Sequence, residues 1–169
     1  MGRSLSKDSI GDRSVTHIIN KCLHLDCYPV LREIKKLQVF EGSFSISTAD
    51  FNKFYAKIAK KTKPIEIPII DESFCWKKQE FVRDDFVKIS NEVIQWAKKQ
   101  NVEAGLLTLR ALPTSAVGSL PLRHLTALAL AKDLVKLNYY LECFKKGDRL
   151  GFVPYITQEY IERAIKCVS

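Results

Sequence analysis

The stretch SVTHIINKCLHLDCYPVLREIKKLQVF, residues 14–40, decides the fold class, because the segments beyond residue 83 read as helices. Val15, Ile18, Ile19, Cys22 and Leu23 recur with the 3.6-residue period of an amphipathic helix, and Ser14 is placed to cap it. Pro29 opens a second segment in which Val30, Leu31, Ile34 and Leu37 or Gln38 repeat with the same period toward Phe40. Glu41-Gly42-Ser43 then breaks the pattern. Read this way, the chain begins with two helices behind a polar tail, residues 1–12.

Residues 48–63, TADFNKFYAKIAKKTK, give the next helix. Thr48 is its cap, and Asp50 in the first turn suits the positive end of the helix dipole. Phe51, Phe54, Tyr55 and Ile58 form one apolar stripe, while Lys53, Lys57, Lys60 and Lys61 fill the remaining arc. Lys63-Pro64 stops it, since the residue before proline avoids the α region. In residues 64–76, Ile65, Ile67 and Ile69 alternate, but Pro64 and Pro68 forbid a central strand, which leaves an extended linker or edge segment.

Further helices are predicted over 84–100, 102–112, 121–146 and 157–167. The first turns Phe86, Ile89, Val93, Trp96 and Ala97 inward, and Pro113 stops the second. The third, residues 121–146, has proline in its first turn and Gly147 just past its end, and is apolar nearly all round between Leu125 and Ala131. The expected fold is therefore all-α: a compact bundle of about seven helices around the central 121–146 helix, with little or no β-sheet. One domain over 13–169 is expected, with two lobes, 13–63 and 84–169, joined by an extended linker 64–83 as its variant. Residues 101–141, a short helix, a proline turn and an Ala-Lys-Asp-Leu-Val-Lys helix, are similar to the N-terminal helical domain of transcription elongation factor S-II. No site residue is carried over from that likeness.

The chain has 169 residues, 27 Lys+Arg against 19 Asp+Glu, and a net charge of +8. That excess favours anionic partners: nucleic acid, an anionic membrane or an acidic protein. Screening limits each charge to about 8–10 Å, so clusters matter more than the total. The clusters are Lys53, Lys57, Lys60, Lys61 and Lys63; Lys77 and Lys78; Lys98 and Lys99; and Lys145, Lys146 and Arg149. Five cysteines, an odd number at irregular spacing, and no secretory hydrophobic region point to an intracellular location, cytoplasmic or nuclear.

Non-catalytic binding of a nucleic-acid backbone, RNA ahead of DNA, is the leading expectation. Lys53, Lys57, Lys60 and Lys61 would meet phosphates as point charges, with Lys77, Lys78, Lys98 and Lys99 extending the surface. An adaptor or self-assembling protein is the alternative. A peripheral, matrix-like membrane protein is the third reading, because Met1-Gly2-Arg3-Ser4-Leu5-Ser6 fits the myristoylation form at Gly2. The chain contains no phosphate-cradling G-x-x-x-x-G-K-[ST] or G-x-G-x-x-G, no G-x-S-x-G and no H-E-x-x-H, so no enzyme activity and no cofactor are expected. His17, Cys22, His24 and Cys27 are close in sequence but lack a zinc-ligand spacing, and no metal is assigned. His124 reads as a packed core residue, and Asp71, Glu72 and Asp84 as loop and cap residues.

Overall fold

The computed structural model describes residues 17–20, 23–34, 36–63 and 65–168, with the side chains of 17–28 outside that description. The 1–12 tail and Gly2 lie outside the described residues. The fold is mixed, and this overturns the all-α expectation. Strands β1 (His17–Asn20), β2 (Leu23–Ile34) and β3 (Leu37–Thr48) precede α1 (Ala49–Ile58), β4 (Ile70–Lys78) and α2 (Arg83–Lys99). Four helices follow: α3 (Val102–Ala111), α4 (Leu120–Leu130), α5 (Leu134–Lys145) and α6 (Gln158–Val168). The strands form one antiparallel sheet in the order β1-β2-β3-β4, three long strands with the short β1 outside β2.

Where two helices were expected over 14–40, β2 and β3 form a hairpin. Leu23 pairs with Thr48 and Ile34 with Leu37, so twelve residues of β2 run against twelve of β3. Period alone misleads here because β2 carries apolar residues on both faces, Leu31 on one and Val30 and Ile34 on the other, so alternation is hidden. Pro29 is tolerated because β1 pairs only with residues Leu23–Leu25 of β2. From Asp26 onward β2 is a sheet edge among the described residues, where a missing N–H breaks no ladder. Lys36, with φ of 66°, turns the hairpin.

The expected central helix 121–146 is also corrected: it is two helices. Lys132 takes φ of 57°, and the Asp133 and Lys132 N–H groups donate to Leu128 and Ala129 carbonyls, a Schellman ending of α4. The Asp133 carboxylate then accepts from Lys136 N–H and caps α5. The same ending closes α1, where Lys60 (φ 53°) and Lys61 donate to Lys57 and Ala56 carbonyls. Gly147 does so for α5.

Two larger apolar clusters and a smaller one between them result. One face of the sheet, Phe40, Phe44, Ile46, Phe74 and Trp76, receives Phe86, Ile89, Val93, Trp96 and Ala97 of α2. Phe44 meets Phe74 stacked at 5.5 Å and Trp96 edge-on at 4.5 Å. The other cluster gathers α1, α4, α5 and α6 around Leu125, Leu128, Leu137, Ile156 and Ile161, all fully buried. Phe51, Ile69, Leu109 and Ala127 join the two, with Val102 touching the sheet cluster and Ile67 the helical one. Arg123 of α4 ties the helices to β4 through a 2.9 Å ion pair with Asp71.

Candidate nucleic-acid interface

The apolar stripe of α1 settles which of its faces is available. Phe51 and Ile58 are fully buried, Tyr55 is buried and Phe54 packs partly against the helical cluster. Thr48 Oγ accepts from Phe51 N–H at 3.1 Å and starts the helix at the expected place. Lys53 and Lys57 therefore stand exposed on the outer face, one turn apart, about 6 Å along the axis. The helix ends at Ile58, so Lys60 and Lys61 belong to the closing turn rather than to the helical arc; both are exposed.

Helix α6 lies beside this face and adds cations that the sequence reading did not single out. Arg163 donates from Nε to the Ile58 carbonyl at 2.6 Å, which covers the open end of α1, and from Nη1 to Glu159 at 3.1 Å. Its guanidinium also lies over the Tyr160 ring at 4.5 Å, a cation–π contact. Lys60 reaches the same Glu159 carboxylate at 3.6 Å, so one acid serves two bases. Lys166 is exposed one turn further on. Burial pushes the Cys167 thiol pKa up, and the Lys57 charge opposes it. The strong amphipathicity of residues 158–168, with Arg163 and Lys166 three apart, is the signal from which these residues were legible.

The remaining expected lysines belong to β4 and α2, not to α1 or α6. Lys77 and Lys78 end β4, and Lys78 is bound to Asp85 at 2.6 Å. Asp85 also accepts from Val82 N–H at 3.0 Å, fixing the first turn of α2; the Lys78 hydrogen bond first, then this one, hold its carboxyl below the usual range. Lys98 and Lys99 end α2 at its opposite end, about 20 Å away at 1.5 Å per residue. Lys145 pairs with Glu142, and Arg149 donates to the Val153, Pro154 and Ile156 carbonyls, an anchor for the loop before α6.

His124 is fully buried, between the Leu109 carbonyl (2.8 Å from Nδ1) and the Tyr140 hydroxyl (3.0 Å from Nε2). Burial holds its pKa below the usual 6.5, and that of Tyr140 is pushed up to about 12. This arrangement is a satisfied core pair: Nδ1–H donates to the carbonyl, and Nε2 accepts from the phenol. No group of three or more His, Cys, Asp or Glu converges as a metal set among the described residues. The side chains of His17, Cys22, His24 and Cys27 lie outside the described residues. No helix among the described residues is long and apolar enough to cross a membrane.

An α/β chain with a helix-borne basic face is what fold and surface define. It belongs to a family of unknown function, DUF6990, whose profile matches residues 1–169. No curated protein and no solved structure matches it.

Proposed function

We propose that the α1–α6 face binds the phosphate backbone of a nucleic acid without catalysis. The observation that carries the reading is the burial of the α1 apolar stripe, which leaves Lys53, Lys57 and Lys61 exposed beside Lys60, Arg163 and Lys166. Phosphates compete for Lys60 because its contact with Glu159 is a solvent-exposed pair worth at most about 1 kcal/mol, while Arg163, mostly covered, stays with Glu159 and the Ile58 carbonyl. Lysines act as point charges, so the reading implies affinity with little base specificity. Lys77, Lys78, Lys98 and Lys99 lie on β4 and α2 and are not needed for it.

The test is fluorescence anisotropy on a short single-stranded RNA and a DNA duplex, titrated over salt. Binding is expected to weaken with a log–log slope of about −0.7 to −0.9 per phosphate neutralised. Lys53→Glu with Lys57→Glu should lower affinity about tenfold or more and flatten the slope by about one unit per lysine lost. Lys98→Glu should change neither. No binding at low salt, or equal loss from Lys98→Glu, rejects the proposal; binding to anionic vesicles but to neither nucleic acid transfers the same face to a membrane surface.

A further inference from the structure

Strand β4 closes the sheet on one side: it pairs with β3, and among the described residues no strand lies beyond it. Its nine residues have an ordered charge pattern. Asp71 and Glu72 stand at the start, Lys77 and Lys78 at the end, and Ser73-Phe74-Cys75-Trp76 between them carry no charge. Exposed edges are ordinarily blunted by proline, a bulge or a charge set in mid-strand. The central four residues of β4 have none of these.

The pattern is complementary to itself in the antiparallel direction. We infer that β4 is a dimerisation edge, pairing with β4 of a second copy of this chain across a two-fold axis at Cys75. A two-fold perpendicular to the sheet keeps each residue on its own face, so opposed positions must share parity. With Cys75 opposite Cys75, Phe74 faces Trp76 of the second copy and Glu72 faces Lys78, each pair occurring twice. On the other face, Ser73 meets Lys77, and Lys77 lies diagonal to Asp71.

Three features of the single chain fit this arrangement. Glu72, Cys75, Lys77 and Lys78 are exposed, so no rearrangement is needed to present them. Phe74 and Trp76 already lie 4.6 Å apart against Phe40, so their pairing with a second copy extends an existing aromatic row. Between β4 and α2 a cavity of about 250 Å³, lined in part by Trp76, Phe81, Lys88, Ile89 and Glu92, leaves room beside the edge for side chains of the second copy. Lys78, half exposed, can meet Glu72 of the second copy while it holds Asp85. The inference stands apart from the nucleic-acid reading, since no lysine of α1 or α6 takes part.

Sedimentation equilibrium of the full chain over roughly 1–100 µM tests it. Wild type is expected to be a dimer that dissociates within that range. Glu72→Lys alone and Lys78→Glu alone each set like charges opposite one another twice, and should weaken association about tenfold or more. Mixed together, these two variants should form a heterodimer, and the double variant should recover homodimers. Mild oxidation should give a disulfide-linked dimer that Cys75→Ser abolishes and that Cys143→Ser and Cys167→Ser leave intact. The rescue arms guard against simple misfolding. A monomeric wild type, a dimer indifferent to both reversals, or no recovery in the mixture overturns the inference.

Discussion

His124 shows what a single buried polar residue asks of its neighbours. Both ring nitrogens are satisfied, by a backbone carbonyl and a phenol, at a site where burial disfavours a charged ring. Tyr140→Phe leaves Nε2 without its donor and should destabilise the fold by about 1–3 kcal/mol, measured by urea unfolding. The pH dependence follows from the same burial. In the folded chain the pKa of His124 is depressed, so the unfolded chain binds the extra proton first. The stabilising contribution is complete above about pH 6.5, and is lost progressively as pH falls from there toward the folded pKa. Urea midpoints should therefore drop between about pH 7.5 and 5.5, and the drop should be smaller in His124→Asn; an unchanged slope would remove His124 from the account. Gly105 is a second such point. A Cβ there would meet Ile70 Cγ1 at 2.7 Å and Ile69 Cγ2 at 3.0 Å, atoms near their own backbones with little freedom to withdraw. Gly105→Ala should cost about 1–3 kcal/mol despite alanine's higher helix propensity.

At the scale of elements, the helix boundaries explain much of what was legible and what was not. Caps with side-chain signals were readable: Thr48 before α1, Pro113 after α3, and Gly147 after α5. Lys132 and Lys60 take the left-handed position with no glycine to announce it, which hid the break between α4 and α5 and carried α1 past its true end. A lysine in that conformation costs about 1 kcal/mol relative to glycine. Lys132→Gly should accordingly raise the stability by about that amount in thermal or urea unfolding, and Asp133→Ala should lower it by about 1 kcal/mol through the lost α5 cap. Residues 17–48 were illegible for another reason. Their apolar residues fit a helical period as well as a strand, and the choice fell to pairing with β4 and to α2, distant in sequence. The inward face of α2, Phe86, Ile89, Val93, Trp96 and Ala97, was read correctly, although its expected partners were helices rather than a sheet.

For the molecule as a whole, the sheet–α2 cluster and the helical cluster meet through Phe51, Ile69, Leu109 and Ala127, with the Arg123–Asp71 ion pair linking α4 to β4. Such a bridge makes a single cooperative transition the expected behaviour. Both tryptophans, Trp76 and Trp96, lie in the sheet cluster, while most of the helix lies in the other. Denaturation followed by tryptophan fluorescence and by far-ultraviolet circular dichroism should therefore coincide; separated midpoints would mean two independent units. The sequence by itself determined the positions of most helices and the basic character of α1. It did so because caps, proline stops and 3.6-residue stripes act within a few residues of chain. Only the tertiary structure decided that β1, β2 and β3 are strands, that α6 brings Arg163 and Lys166 to the α1 face, and that Lys77–Lys78 and Lys98–Lys99 are parted by the length of α2. Those outcomes depend on which surfaces bury one another across long separations in the chain, and no local pattern of residues encodes that choice.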